Sequence, residues 1–254
     1  MAYQCRLLHT GYHNAFYNMG LDQAILEAVA EGAAFPTLRF YGWQPSAISI
    51  GYFQGMTEEV DLAACRDHGV DTVRRITGGG AVFHQSEVTY SMVLPLDHPL
   101  ADQNILASYG RLCQGIVAGL ARLGVSAEFA PINDIVAGGK KISGNAQTRK
   151  LGCILQHGTI LLDVDVDLMF SLLRVPSEKA RGKAIADVKE RVTSLSRLLL
   201  RPVTFDEVSA ALEAGFAEAL NLEYRPQEPA ETECVRAEEL ARTRFADEGW
   251  TLKR

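Results

Sequence analysis

Three consecutive glycines, Gly78 to Gly80, interrupt a stretch that is strand-forming on both sides. Asp71 to Ile76 leads in, and Ala81 to His84 and Thr89 to Leu94 lead out, all rich in β-branched, aromatic or aliphatic residues. The consequence is a glycine loop between strands. No G-x-x-x-x-G-K-[ST] occurs, and Gly78 to Phe83 lacks the glycine spacing of a dinucleotide fingerprint. A nucleotide, if one binds, needs a different fold.

The rest of the chain alternates hairpins with helices. Tyr3 to Leu8 reads as a short strand, and Asn14 to Glu31 as an amphipathic helix with Met19, Leu21, Ala24, Ile25, Ala28 and Val29 at mixed three- and four-residue spacing and Gly32 at its end. Thr37 to Trp43 and Ala47 to Phe53 are β-rich runs split by Gln44, Pro45 and Ser46, which suits an antiparallel pair. Glu58 to His68 and Asn104 to Leu123 look helical. Apolar runs follow at Asp134 to Ala137, Lys141 to Ala146 and Cys153 to Leu162, the first two joined as a hairpin through Gly138 and Gly139. Asp165 to Leu173 and Thr204 to Leu220 are further helices. The order predicts an α+β fold, a mixed or antiparallel β-sheet flanked by helices. No composition shift divides the chain before Tyr224, so residues 1–224 read as one domain. Pro226 and Pro229 then open a charged helical tail, 225–254, that packs on it.

Composition narrows the partners. Hydrophobic residues make up 47% and charged residues 22%, as in a folded globular chain. The net charge is −6, from 25 basic and 31 acidic residues, which supports neither nucleic acid nor an anionic membrane as partner. No stretch approaches the roughly 20 apolar residues of a membrane span, and the start MAYQCRLLHTGYHNAF lacks a signal-peptide pattern. A cytoplasmic location is expected. Cys5, Cys65, Cys113, Cys153 and Cys234 are scattered without a C-x-x-C pair, so reduced and mostly buried thiols are expected.

Chemistry concentrates in three places. Glycines without Cβ atoms let a ligand approach main-chain N–H groups, and Arg74 and Arg75 just before them add forked donors and charge, which together make an anion site. In the second segment, a strand over Lys141 to Asn145 puts Lys141, Ser143 and Asn145 on one face and Ile142 on the other. Lys141 can then neutralise a reacting carboxylate and phosphate, although an isolated Lys-Lys pair is more often a solvated hairpin. Asp134 is suited either to a Mg2+ ion on phosphates or to capping a turn. In the third, His157 is either a donor in the site or a satisfied structural histidine. Cys153 and His157 share a strand face, but four residues at about 3.3 Å rise hold their Cα atoms roughly 13 Å apart, too far for a direct dyad.

Together, R-R-I-T-G-G-G-A-V-F-H at Arg74 to His84, N-D then G-K-K-I-S-G-N-A between Asn133 and Ala146, and Q-H-G-T-I-L-L at Gln156 to Leu162 resemble the lipoate-protein ligase family. That family lies within a superfamily with biotin ligases and octanoyltransferases. R-F-Y-G-W at Arg39 to Trp43 and I-G-Y-F-Q at Ile50 to Gln54 extend the similarity. The resemblance implies a catalytic domain like those of class II aminoacyl-tRNA synthetases and biotin ligases. It implies ATP and Mg2+ as co-substrate and ion, lipoate as substrate, and a lipoyl-carrier protein as acceptor. Arg74 and the backbone of Gly79, Gly80, Ala81 and Val82 would bind the lipoyl adenylate, Lys141 would contact its phosphate and carbonyl as the catalytic residue, His157 would line the site, and Asp134 would hold the metal. The expected activity is ATP-dependent lipoate-protein ligation, with octanoyl or lipoyl acyl transfer on the same fold as the alternative and a non-catalytic adenylate- or carrier-binding protein as the second. Related octanoyltransferases use a cysteine thioester, either before the segment matching Pro131 to Asp134 or near Leu173 to Ser177, and neither place has a cysteine here. Gln85, where ligases often carry aspartate, and Gln147 to Lys150 are closer to some transferases. The accessory domain common after the catalytic domain is missing, so a separate small accessory protein is expected.

Overall fold

The structure, a computed structural model, describes residues 2–174 and 177–253. The chain opens with β1 (Tyr3–His13), α1 (Ala15–Ala30), β2 (Thr37–Trp43), β3 (Ala47–Ile50), α2 (Met56–Glu59), α3 (Leu62–Asp67), β4 (Asp71–Arg74), β5 (Val82–His84) and β6 (Glu87–Pro95). It continues with α4 (Ile105–Leu112), α5 (Gln114–Arg122), β7 (Ala127–Ala130), β8 (Asp134–Ala137), β9 (Lys140–Lys150) and β10 (Cys153–Leu161). The last part holds α6 (Val166–Leu172), α7 (Glu178–Arg191), α8 (Leu195–Leu199), α9 (Phe205–Leu220), β11 (Leu222–Pro226), α10 (Glu231–Leu240), a π-helical turn (Ala241–Phe245) and α11 (Glu248–Thr251).

An eight-stranded sheet runs in the order β11-β1-β2-β6-β10-β9-β8-β7, and a three-stranded sheet in the order β4-β3-β5. In the large sheet β1 is parallel to both β11 and β2, and every later pairing is antiparallel. This is the mixed α+β architecture expected. One pairing differs: β2 and β3 are not partners. Both edges of β2 are occupied, by β1 and β6, and the turn after Trp43 carries β3 into the small sheet between parallel β4 and antiparallel β5. The chain therefore crosses between sheets where a hairpin was expected.

Strand alternation sorts the side chains into two cores. Leu7, Leu38, Phe40, Tyr90, Met92 and Ile160 face one side and pack on Ile116 and Leu120 of α5 and Leu212 and Phe216 of α9. Leu8, Tyr41, Trp43, Val93 and Leu155 face the other side and pack on α1, with Ala237, Leu240 and Phe245 beyond it. α1 differs from the expected amphipathic helix in being buried on nearly every side, Asn18 to Leu26 without interruption. The cause is α10, which covers the outer face of α1 so closely that a Cβ on Gly20 would sit 2.4 Å from the Ala237 carbonyl oxygen. Arg6 of β1 locks α10 down by two hydrogen bonds to Glu233, at 2.7 and 2.6 Å, with both groups buried.

A second buried charge pair joins α1 to the large sheet. Arg39, fully buried in the middle of β2, donates to Asp22 Oδ1 at 2.8 Å and to Thr10, Asn18 Oδ1 and the Asn18 carbonyl. The second oxygen of Asp22 accepts from the Tyr41 hydroxyl at 3.0 Å and meets His157 Nδ1 at 3.1 Å, while Oδ1 also accepts from Ser91 at 2.8 Å. Burial alone would raise the Asp22 carboxyl, but the His157 hydrogen bond and the Arg39 charge outweigh it and hold it below the usual carboxylate range. For His157 burial dominates and, with Arg75 nearby, pushes the imidazole below its ordinary 6.5 despite Asp22.

Two outcomes are expected. Arg39→Met leaves Asp22 as a buried, unpaired charge and costs about 3–5 kcal/mol in urea unfolding, whereas Arg39→Met with Asp22→Asn costs clearly less; equal losses would sink the network account. Because the folded His157 resists protonation, its contribution is complete above about 6.5 and is lost as pH falls toward the folded value. Melting curves at pH 7.5 and 5.5 should show a larger drop for the wild type than for His157→Gln.

Candidate active site

The glycine loop sits between the small sheet and β9–β10, and its shape is set from below by Arg75. The Arg75 guanidinium donates to the Gly78 and Gly80 carbonyls, both at 2.8 Å, and to the Ser49 carbonyl and hydroxyl at 2.9 and 2.8 Å. Burial lowers this guanidinium to about 10, which still leaves it charged at neutral pH. Gly79 adopts φ +91, and Gly51 lies so near that a Cβ there would be 2.0 Å from the Gly79 oxygen. Neither position accepts a side chain without moving the loop.

Above the loop is a pocket lined by Gly79, Gly80, Ala81 and Val82 on one side and by Lys141, Gly144, Asn145, Ala146 and His157 on the other. Met19 of α1 and Tyr41 and Trp43 of β2 form an apolar wall. The Trp43 ring stacks on His84 at 3.9 Å between centroids, and its Nε1 donates to Thr89 at 2.8 Å. His84 is held in turn by Glu87 at 2.6 Å and Ser49 at 2.7 Å. An apolar wall beside polar backbone and a cation suits an acyl chain ending in a charged head.

Lys141 reaches this pocket by way of a β-bulge. The β8–β9 register shifts between Ile135 and Val136, so Ile135 pairs with Ser143 and Val136 with Lys141, leaving Ile142 as the extra residue. Strict alternation is broken there. Lys141, Gly144 and Asn145 line the pocket and Ile142 joins the core; Ser143 shares a face with Asn145 as expected, its Oγ 3.4 Å from Asn145 Nδ2, but is buried outside the lining, and it is Lys141 that the bulge takes off that face. Gly144 leaves the space beside the lysine, a Cβ there being 3.0 Å from Nζ. Lys141 Nζ lies 2.7 Å from Asp134 Oδ1, with both side chains partly exposed. Lys140 is exposed and outside the pocket lining.

Arg74 needs correction. Successive residues of an extended chain point to opposite sides, and it is Arg75 that faces the pocket. Arg74 is fully buried on the far side, donating to the carbonyls of Gly51, Tyr52 and Gln54 and of Trp250, Thr251 and Lys253. Its guanidinium is a strut between the 51–54 loop and the C-terminal segment and is not part of the pocket lining. The sequence reading gave both arginines to the anion site and named Arg74, whereas alternation along an extended chain turns only one of two neighbours to the pocket. The Asp22–Arg39 network and the Ser49–His84–Glu87 chain were also missed, because they join residues remote in sequence.

His157 lines the pocket, yet both ring nitrogens are engaged, Nε2 with the Thr77 hydroxyl at 2.8 Å and Nδ1 with Asp22. A neutral imidazole donating to Asp22 and accepting from Thr77 anchors the first residue of the glycine loop rather than moving protons. Asp134 offers a single carboxylate, and no group of three His, Cys, Asp or Glu residues that could hold a metal occurs among the described residues. It fits Mg2+ only as one ligand of an ion carried on phosphates. No cysteine lines the pocket. Cys5, Cys65, Cys113 and Cys153 are buried, and burial raises Cys5 and Cys113 to about 12 and Cys65 to about 11. Of the other segment where a thiol was considered, Val175 and Pro176 lie outside the described residues. Among the described residues no helix is long and apolar enough to cross a membrane.

The octanoyltransferase LipM of Kyrpidia tusciae is 41% identical over 98% of this chain and 98% of its own. Among solved structures, a bi-partite lipoate protein ligase from an archaeal lipoylation system of Thermoplasma acidophilum, studied with its E2 lipoyl domain, is 33% identical at a TM-score of 0.90, covering 99% of this chain and 98% of that one. A lipoate-protein ligase A bound with ATP is 32% identical at a TM-score of 0.83, covering 99% of each. The sequence model of the lipoyl protein ligase A/B catalytic domain matches residues 14–217, and the chain belongs to that family.

Proposed function

We propose that this protein transfers an octanoyl or lipoyl group to a lysine of a lipoyl-carrier protein, and that the acyl group is activated as its adenylate. The observation that carries the adenylate route is a pocket with a lysine, Lys141, opposite the Gly79–Val82 backbone and with no thiol in its lining. In the first step a carboxylate oxygen attacks the α-phosphorus of ATP and pyrophosphate leaves. In the second the carrier's amine attacks the acyl carbonyl carbon, AMP leaves and the nitrogen gives up a proton. Both steps pass through states with negative charge on oxygen, which a fixed ammonium and backbone donors stabilise. We assign Lys141 to the phosphate and carbonyl, Gly79 to Val82 to the phosphate, and His157 and Arg75 to holding the loop. Mg2+ bound with ATP would neutralise phosphate charge, with Asp134 as its one protein ligand.

The ATP-bound ligase and the bi-partite archaeal ligase support this route, and the latter also supports a separate accessory subunit. A second reading, octanoyl or lipoyl transfer from an acyl thioester, has the better support from the named relatives, since the 41% identical protein is an octanoyltransferase. Without a pocket thiol, such a reaction would be direct aminolysis of the donor by the carrier lysine.

Purified protein given ATP and octanoate or lipoate should release pyrophosphate and acylate a lipoyl domain. Transfer from an acyl thioester with no pyrophosphate from ATP would establish the second reading instead. Lys141→Ala should lower adenylation by about 10²–10³-fold with an unchanged circular dichroism spectrum. Lys140→Ala, outside the pocket, should stay within about twofold of wild type; equal damage in both would remove Lys141 from the chemistry.

A further inference from the structure

The C-terminal segment and the 51–54 loop build a stack of alternating cations and rings. Lys150 Nζ lies 4.9 Å from the Tyr52 ring centre, and Lys253 Nζ covers the other neighbour, 4.1 Å from Tyr52 and 3.6 Å from Trp250. The Arg244 guanidinium then lies 3.9 Å from Trp250, and the two rings meet edge to face at 5.8 Å. Three like charges are thus gathered over two aromatic faces. No ion pair joins any of them to a carboxylate among the described residues. Glu27, the acid felt by Arg244, is already bonded to Arg236 at 2.8 Å, and Arg244 Nε is buried without a hydrogen-bond partner. Lys150 is lowered by burial and then by the charges of Arg244 and Lys253, as mutual repulsion requires.

A concentrated positive patch on a chain of net charge −6 costs free energy unless something negative meets it. Its setting says what. The Tyr52 amide donates to the Thr77 carbonyl at 2.8 Å, and Gly51 packs on Gly79, so the stack stands one loop away from the pocket rim. Phe53 is 86% exposed and Leu151 62% exposed at the same edge, offering apolar contact around the charges. Tyrosine, tryptophan and arginine beside exposed apolar residues are the composition of a protein-binding surface, and the lysines around them supply the charge that steers an oppositely charged partner.

We propose that the Lys150–Tyr52–Lys253–Trp250–Arg244 stack is the docking surface for an acidic face of the acyl-accepting carrier protein, set beside the pocket so that the carrier's lysine reaches the activated acyl group. This rests on the acyl-transfer reading above. Lys150 and Lys253 steer and orient the carrier, and the C-terminal segment contributes to acceptor recognition although it lies outside the matched catalytic domain of 14–217.

The test uses the full-length protein, acyl adenylate supplied at saturation and an apo lipoyl domain as acceptor. In wild type the KM for the lipoyl domain should rise steeply with added NaCl. In Lys150→Glu/Lys253→Glu it should be at least tenfold higher at low salt and nearly salt-independent, with kcat and acyl adenylate affinity by calorimetry within twofold of wild type. Lys150→Gln/Lys253→Gln should fall between the two, and thermal melting controls for folding. A carrier KM and salt slope equal to wild type in the Glu variant, or a loss confined to adenylate binding, overturns the docking surface. Wild type that acylates no lipoyl domain at all, while still binding adenylate, instead overturns the acyl-transfer reading.

Discussion

The buried pair of Asp22 and Arg39 is the interaction on which the rest of the site depends. Two charges removed from water are tolerable only when their remaining donors and acceptors are satisfied, and here Asn18, Thr10, Tyr41, Ser91 and His157 meet that need. Satisfying Asp22 fixes the His157 ring, and His157 in turn fixes Thr77 at the entry to the glycine loop. One carboxylate on α1 thereby sets the loop's position relative to β10. The neutral state of His157 follows from the same burial.

Arg75 does for the loop's interior what this network does for its entrance. By engaging the Gly78 and Gly80 carbonyls from below, it fixes the curvature that presents residues 79–82 to the pocket. Preorganised backbone and a fixed cation are worth more in such a partly dry site than in water, because no reorganisation accompanies the charge that develops during reaction. Lys141 is placed with comparable care. The bulge at Ile142 turns it toward Gly144, whose missing side chain leaves the room it occupies.

Arg74 and Arg75 show how neighbouring residues of one type divide their tasks. One supports the ligand loop, and the other draws the C-terminal segment onto the 51–54 loop through carbonyls on both sides. The second arrangement brings Trp250 and Lys253 to Tyr52 and makes the cationic stack possible. Loop, tail and pocket rim are thus joined by direct contacts, although the pocket itself is built mostly from 75–159.

Local chemistry made much of this legible in advance. The β-rich runs, the helices at 15–30 and 205–220, and the hairpin through Gly138 and Gly139 follow from periodicity and turn residues, although β1 runs on from the expected Leu8 to His13, β9 from Ala146 to Lys150, and the helices expected at Glu58 to His68 and Asn104 to Leu123 are each broken in two. The glycine loop, Lys141 and His157 were readable as a site because their residue types and order carry the family's pattern, and the pocket brings them together. Tertiary structure alone decided which arginine lines the pocket, where β3 pairs, and how α10 buries the outer side of α1. It also placed Ser49 in the pocket lining and Asp22 and Arg39 behind His157. The physical reason is range: backbone preference and alternation act over a few residues, whereas sheet partners, buried charge pairs and the faces left to solvent are settled only when distant segments compete for the same space and the same hydrogen bonds.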